Sequence, residues 1–219
     1  MKRFEKGYLL LGSIHRIAIR LHWTAPLGAV VFGGFKFVPA FWGAFLLLVL
    51  IHELGHAAIV RLSHARVTMI DLDGAGGLCH WRGDVTPVRR ALIAWGGIFG
   101  QLAALLAACS LLWVFGQPEN EYLAQAADAF TRANLWMGAF NLIPVRYLDG
   151  AKAWQIVPLL YQVAKSRAVR QSKKKSAHRA AKKELAELDR SARGEDAVST
   201  DVENALARLA SEVNRTAKK

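Results

Sequence analysis

The chain has 219 residues, 53% of them hydrophobic, yet its formal net charge is +12. Apolar runs occupy the first part and basic residues crowd the last, which predicts a membrane domain over 1–160 and a basic tail over 161–219. The two cysteines, Cys79 and Cys109, form no CxxC pair, so the sequence predicts neither a disulfide framework nor a thiolate zinc site. The tail has apolar residues at helical spacing, and we expect a helical hairpin with its turn at 193–196.

The first membrane elements follow from periodicity and from apolar length. Residues 17–23 alternate between apolar and polar side chains, which predicts a short strand at the membrane surface. Residues 23–38 predict a short first span and residues 39–61 a second, joined as a helical hairpin.

The segment 62–90 is polar and rich in glycine, which predicts short β elements joined by turns. Asp71 and Asp73 are the only acidic pair in it that suggests a metal. Their spacing fits no complete metal-binding loop, so we expect both to be turn residues.

Two more apolar stretches predict a third span at 91–115 and a fourth at 129–148, with an acidic loop at 116–128 between them. The third span contains Gly96 and Gly100, whose GxxxG spacing lets another helix backbone approach closely. We expect this contact to hold the third span against the second.

The second span carries the motif that suggests chemistry, His52-Glu53-Leu54-Gly55-His56. On a helix, residues four apart share a face, so His52 and His56 can bind one zinc ion while Glu53 acts on a water beside it. An HExxH match can arise by chance on an exposed helix. In an apolar span, however, three ionisable groups are costly and normally mark a functional interior.

A second motif, Asn141 to Gly150 (NLIPVRYLDG), ends the fourth predicted span. With HELGH in an earlier span, the chain resembles the site-2 protease family of intramembrane zinc metalloproteases over about residues 10–160. The apolar stretches predict a polytopic α-helical membrane bundle of about four spans with a cytoplasmic helical tail, and the segments 17–23 and 62–90 resemble the family's small surface β elements. The resemblance also implies one zinc ion held by three side chains, a catalytic base, and an asparagine that holds substrate or stabilises the oxyanion. These are, in order, His52, His56 and Asp149 as ligands, Glu53 as the base, and Asn141.

The chain departs from the family at positions that are not proposed ligands. The third span has Gln101 where the family often has Asn, and Arg146 and Tyr147 precede Leu148-Asp149-Gly150 where apolar residues or proline are common. These differences bear on substrate preference and rate more than on metal binding.

Basic residues set the predicted orientation. They concentrate before the first span, between the second and third spans, and in the tail. The positive-inside rule then places all three regions, and so both termini, in the cytoplasm. The sequence therefore predicts a multi-pass protein of the bacterial inner membrane, with HELGH and Asp149 near the cytoplasmic leaflet.

Three functions remain open on this basis. The first is a zinc protease that cuts membrane-anchored proteins or peptides, and the intact Glu53 favours it. The second is a catalytically idle zinc-bound scaffold, which would need the ligands but not the base. A zinc transporter is the third. It is the weaker hypothesis, because a transporter needs charged groups along a path across the membrane, whereas the charged groups of these spans cluster at one depth. Nucleic-acid binding by the tail is disfavoured by its interspersed acids and its lack of stacking aromatics.

Overall fold

The structure, a computed structural model, describes residues 4–5, 7–14, 16–74 and 76–216. Within this part of the chain lie a small mixed sheet and a larger set of helices. The chain divides into two compact units, the first ending at Tyr161 and the second beginning at Gln162.

Five strands form one sheet, in the spatial order β1-β2-β3-β4-β5. Neighbouring strands are antiparallel except β3 and β4, which run parallel. A parallel pair needs a long crossover connection, and the helices α1 and α2 supply it. The strands are β1 (Phe4–Glu5), β2 (Tyr8–Ile14), β3 (Ile17–His22), β4 (Arg66–Asp73) and β5 (Gly76–Arg82).

The strand predicted at 17–23 is confirmed as β3. Ile17 and Ile19 are buried while Ala18 and Arg20 are partly exposed, as the alternation required. The prediction that Asp71 is a turn residue is wrong, because Asp71 lies inside β4 opposite Leu78.

The first predicted span is replaced by a much shorter helix, α1 (Pro26–Phe32). Its seven residues reach only about 10 Å at 1.5 Å per residue, far less than a bilayer core. The chain then turns through Gly34 and Phe35, both at positive φ. Pro39 starts the next helix, α2 (Pro39–Leu62), at a position where proline is favoured.

Among the described residues, two helices are long and apolar enough to cross a membrane, α2 and α3 (Pro87–Phe115). The hydroxyl of Thr86 accepts a hydrogen bond from the N–H of Arg89 at the start of α3, and Gly116 at positive φ follows its end. Both helices occur where the sequence predicted spans.

Glycines allow α2 and α3 to pack backbone against backbone, as the GxxxG spacing predicted. A methyl group added to Gly55 would collide with the carbonyl of Gly96, and one added to Gly100 would lie 2.7 Å from the carbonyl oxygen of Ile51. This close approach brings α3 directly behind the HELGH segment, so side chains of α3 can reach the histidines.

Four spans are not confirmed. The region of the fourth predicted span is helical from residue 121 to 141, in three pieces with different hydrogen-bond patterns. The helix ends before the Leu148-Asp149-Gly150 motif. The π-helical turn is a local widening of a kind often found near functional sites. The pieces are α4 (Glu121–Asp128), a π-helical turn (Ala129–Ala133) and α5 (Asn134–Asn141).

Two further helices follow, α6 (Gly150–Ala153) and α7 (Ile156–Thr216). The hairpin expected in the tail is wrong, because α7 is helical through residues 193–196. A single glycine, Gly194, costs a helix only about 1 kcal/mol, and the alanine, leucine, lysine, arginine and glutamate around it favour the helix. The side chains of residues 184–198 lie outside the described part.

Candidate metal centre

Helix α2 buries the three polar side chains of the HELGH motif. The exposed fractions are 3% for His52, 2% for Glu53 and 7% for His56. Gly96 and Gly97 of α3 lie against the two histidines and Gly77 of β5 lies against Glu53, so protein surrounds the three side chains. The motif thus lies on the inner face of α2, as its chemistry requires.

Asp149 meets both histidines. One of its carboxylate oxygens, Oδ2, lies 2.9 Å from Nε2 of His52 and 3.1 Å from Nε2 of His56, and the two Nε2 atoms are 3.1 Å apart. Three ligands at zinc's usual bond lengths of about 2.0–2.1 Å in a tetrahedron would be roughly 3.3 Å apart. The three atoms therefore form a triangle of nearly the size that a zinc ion needs.

Hydrogen bonds on the far side of each imidazole fix which nitrogen is free. Nδ1 of His52 lies 3.0 Å from Oε1 of Gln101, and Nδ1 of His56 lies 2.7 Å from the carbonyl oxygen of Ile93. The N–H of Gly97 is farther from His56 Nδ1, at 3.3 Å. We therefore assign the proton to Nδ1 in both rings, so that both Nε2 lone pairs point to the shared position.

Gln101 is the residue of this centre whose role sequence reasoning missed. It is 3% exposed on α3, and Nδ2 of Asn134 donates to its backbone carbonyl at 2.9 Å. Its own Nε2 has no hydrogen-bond partner in the described part of the chain. The sequence showed only an unusual glutamine in a span, and its distance of 49 positions from His52 hid the contact.

Close backbone packing presents Asp149 to the histidines. A methyl group on Gly150 would lie 2.5 Å from the carbonyl oxygen of Ile143, so only glycine fits there. The indole N–H of Trp154 donates to the carbonyl of Leu142 at 2.8 Å and ties down the same turn. The Leu-Asp-Gly motif thus supplies both the carboxylate and the tight packing that positions it.

A cavity of about 320 Å³ opens over the centre. Its walls include Glu53 and Asn141 together with the two histidines and Asp149. All five residues singled out by the two motifs therefore line one cavity, although 97 positions separate His52 from Asp149.

Strand β5 forms one wall of this cavity and covers the side chain of Glu53. A methyl group on Gly77 would lie 2.5 Å from Oε1 of Glu53, so the strand backbone passes directly over the carboxylate. Among the described residues, β5 pairs only with β4, which leaves its other edge open. Residues of β5 therefore line the cavity beside the candidate base, and no described strand pairs with the other side of β5.

A second polar cluster lies on the sheet, outside the centre. Arg20 forms two 2.7 Å hydrogen bonds with the carboxylate of Asp71, and Nε2 of His80 lies 2.9 Å from the same group. Burial alone would raise the pKa of Asp71, but the hydrogen bonds from Arg20 and His80 outweigh it and hold the pKa below its usual range. The cluster ties β3, β4 and β5 together and is structural.

No protein-family model matches the chain, and no curated protein matches it by sequence. The fold is nevertheless similar to that of the site-2 protease from Methanocaldococcus jannaschii, with a TM-score of 0.52 and 25% sequence identity. The similarity covers 68% of this chain and 71% of the archaeal one. It confirms the resemblance that the two motifs predicted.

Proposed function

The chain shares the fold and the paired motifs of the site-2 protease family, and from this we propose that it is an intramembrane zinc metalloprotease. It would hydrolyse peptide bonds in or near the spanning segments of membrane-anchored substrates. The observation that carries the proposal is the convergence of His52, His56 and Asp149 on one point inside a cavity that also contains Glu53.

The three converging side chains would hold the zinc ion. Both imidazoles present Nε2, and Asp149 presents one carboxylate oxygen, which is a donor set that zinc accepts readily. Bound zinc supplies Lewis acidity, which polarises a carbonyl and lowers the pKa of a water to about 7. Three protein ligands leave room for that chemistry, whereas a structural zinc site is normally closed by four.

Glu53 would be the general base. Its carboxylate is held inside the cavity, where it takes a proton from the attacking water and passes it to the leaving amine. Asn141, also in the cavity wall, would donate a hydrogen bond to the oxyanion that develops on the scissile carbonyl. A scaffold that only held zinc would need neither group, and this favours the protease over an idle scaffold.

The substrate must be extended, because a helix hides its peptide bonds in its own hydrogen bonds. The open edge of β5 offers backbone donors and acceptors next to Glu53, so a substrate strand can add there. Such an added strand would run along the wall of the cavity and present its carbonyl groups to the centre.

The test is cleavage of a panel of single-span membrane proteins by the purified protein in detergent. The wild type should contain one zinc ion per chain and cut at least one substrate, and Glu53→Gln should keep the zinc and cut none. The matched control is Glu121→Gln, an exposed glutamate on α4, which should cut at the wild-type rate. Equal cleavage by wild type and Glu53→Gln would refute the role of the base.

The orientation in the membrane belongs to the same proposal. The centre and the tail would face the cytoplasm of a bacterial inner membrane, with residues 116–128 outside. Single cysteines placed in that loop should react with an impermeant reagent in intact cells, and cysteines placed in the tail should not. Labelling of the tail from outside would reverse the orientation.

A further inference from the structure

Three cationic side chains line the cavity around the candidate active site, Arg90, Arg146 and Lys152. Arg90 lies in the first turn of α3, and the other two lie three positions before and three positions after Asp149. They come from two distant parts of the chain, yet they share one cavity with Glu53. Arg146 lies in the motif 141–150, at a position where apolar residues or proline are common, and the proposed chemistry uses none of the three cations.

None of these three side chains makes a hydrogen bond or an ion pair with a described residue. The neighbouring cation Arg89 is different, because its guanidinium donates to the carbonyl of Ser63 at 3.3 Å and is not part of the cavity wall. The carboxylates of Glu53, Asp73 and Asp149 line the same cavity, but the proposed chemistry uses Glu53 as the base and Asp149 as a zinc ligand. With zinc bound, the positive charges of the cavity would outnumber its carboxylates, and such a cavity favours the entry of an anion.

We infer that Arg90, Arg146 and Lys152 form a subsite for an acidic side chain of the substrate, placed within a few residues of the scissile bond. This inference rests on the proposed function and adds a substrate class to it, namely membrane-anchored proteins with aspartate or glutamate in the segment cut. A peptide strand added to β5 passes Glu53 along the same cavity, so its alternate side chains come within reach of the cations.

Anionic lipid is the other anion that basic residues near a membrane commonly meet. The structure favours a peptide, because these cations share their cavity with Glu53, Asn141 and the backbone of β5. A lipid phosphate in that position would block the base. Arg66 and Arg82, which are also exposed and basic but lie outside the cavity, provide the comparison for general attraction to lipid.

The test is binding, which does not require turnover. The probes are two fluorescent single-span peptides, identical except for three glutamates or three glutamines beside the spanning segment. Zinc-loaded Glu53→Gln protein in detergent should bind the glutamate peptide about tenfold more tightly, since each exposed charge pair contributes a factor of a few. At roughly 1 M salt, where screening acts over about 3 Å, the preference should disappear.

Substitution assigns the preference to the subsite. Arg146→Gln and Lys152→Gln should each reduce the preference for the glutamate peptide several-fold, and the matched controls Arg66→Gln and Arg82→Gln should leave it intact. Arg146→Glu should in addition improve binding of a third peptide that carries three lysines. An equal loss in the control variants would mean general charge attraction and would overturn the inference.

The remaining outcomes separate this inference from the proposed function. If wild type cuts both peptides and shows no preference, the subsite is wrong and the protease stands. If the preference is present but nothing is cut, the subsite stands and the protease is in doubt. If Arg146→Gln and Lys152→Gln change only binding to phosphatidylglycerol nanodiscs relative to phosphatidylcholine ones, the cations bind lipid and the inference fails.

Discussion

Nδ1 of His52 lies 3.0 Å from Oε1 of Gln101, and both side chains are 3% exposed. The amide oxygen fixes the proton on Nδ1, which leaves Nε2 directed at Asp149. The departure from the family at Gln101 was expected to bear on substrate preference and rate. The residue is instead in contact with a candidate zinc ligand.

The first prediction concerns this contact. Gln101→Leu should weaken zinc binding about 10- to 100-fold, because the imidazole loses the acceptor that sets its tautomer and ring orientation. Gln101→Glu should restore much of the affinity, since a carboxylate also accepts from Nδ1. Zinc competition titration against a chelator measures both, and Gln155→Leu, the same change at an exposed position, should match wild type. Unchanged affinity in Gln101→Leu would remove the positioning role.

The second prediction separates ligands from the base. His52→Ala, His56→Ala and Asp149→Ala should each reduce bound zinc, whereas Glu53→Gln should keep it. Metal content after purification and dialysis is the measurement. The control for a lost carboxylate is Asp84→Ala, which removes an exposed aspartate outside the cavity. A full zinc content in Asp149→Ala would exclude that residue from the ligand set.

The third prediction tests the strand over the base. Gly77→Ala should lower cleavage at least tenfold without loss of zinc, because the new methyl group must displace the carboxylate of Glu53 and misplace the base. Gly12→Ala, in strand β2 of the same sheet, meets nothing within 4 Å and should cut normally. Normal cleavage by Gly77→Ala would show that Glu53 works from another position.

The fourth prediction concerns the sheet and pH. The folded pKa of Asp71 is lowered, so its ion pair stabilises the protein above the unfolded value of about 3.9 and loses that effect as pH falls through the folded value. Asp71→Asn should therefore lower the melting temperature at pH 7, and the difference from wild type should shrink below about pH 4. The exposed Asp84→Asn should melt like wild type at both values. A difference that persists at low pH would point to shape rather than charge.

The fifth prediction concerns the tail. A chain ending at Ser166 should keep its zinc and cut a substrate supplied in the same micelle, because every candidate ligand and the base precede Gly150. If this shortened chain cuts substrate in the micelle but not in cells, the tail sets localisation or partner choice. Inserted, folded protein without zinc would instead make the tail part of the catalytic unit.

Elements whose signals are local could be predicted from the amino-acid sequence. HELGH within an apolar run placed two histidines on one face of α2, the alternation at 17–23 gave β3, and the spacing of Gly96 and Gly100 predicted the contact between α2 and α3. Each of these depends on residues a few positions apart, where periodicity and side-chain size are sufficient. The four predicted spans were not confirmed and the tail is helical where a turn was predicted. Both predictions depended on where helices end, which local composition specifies poorly.

Contacts between residues far apart in the chain became visible in the folded protein and could not be predicted before. Gln101 reaches His52 because glycines let the two helix backbones touch, and β5 covers Glu53 because the parallel pairing of β3 with β4 carries that hairpin over α2. The cations of the cavity likewise come together from the start of α3 and from the turn around Asp149. Such contacts follow from how whole elements pack, and no pattern within one segment encodes them.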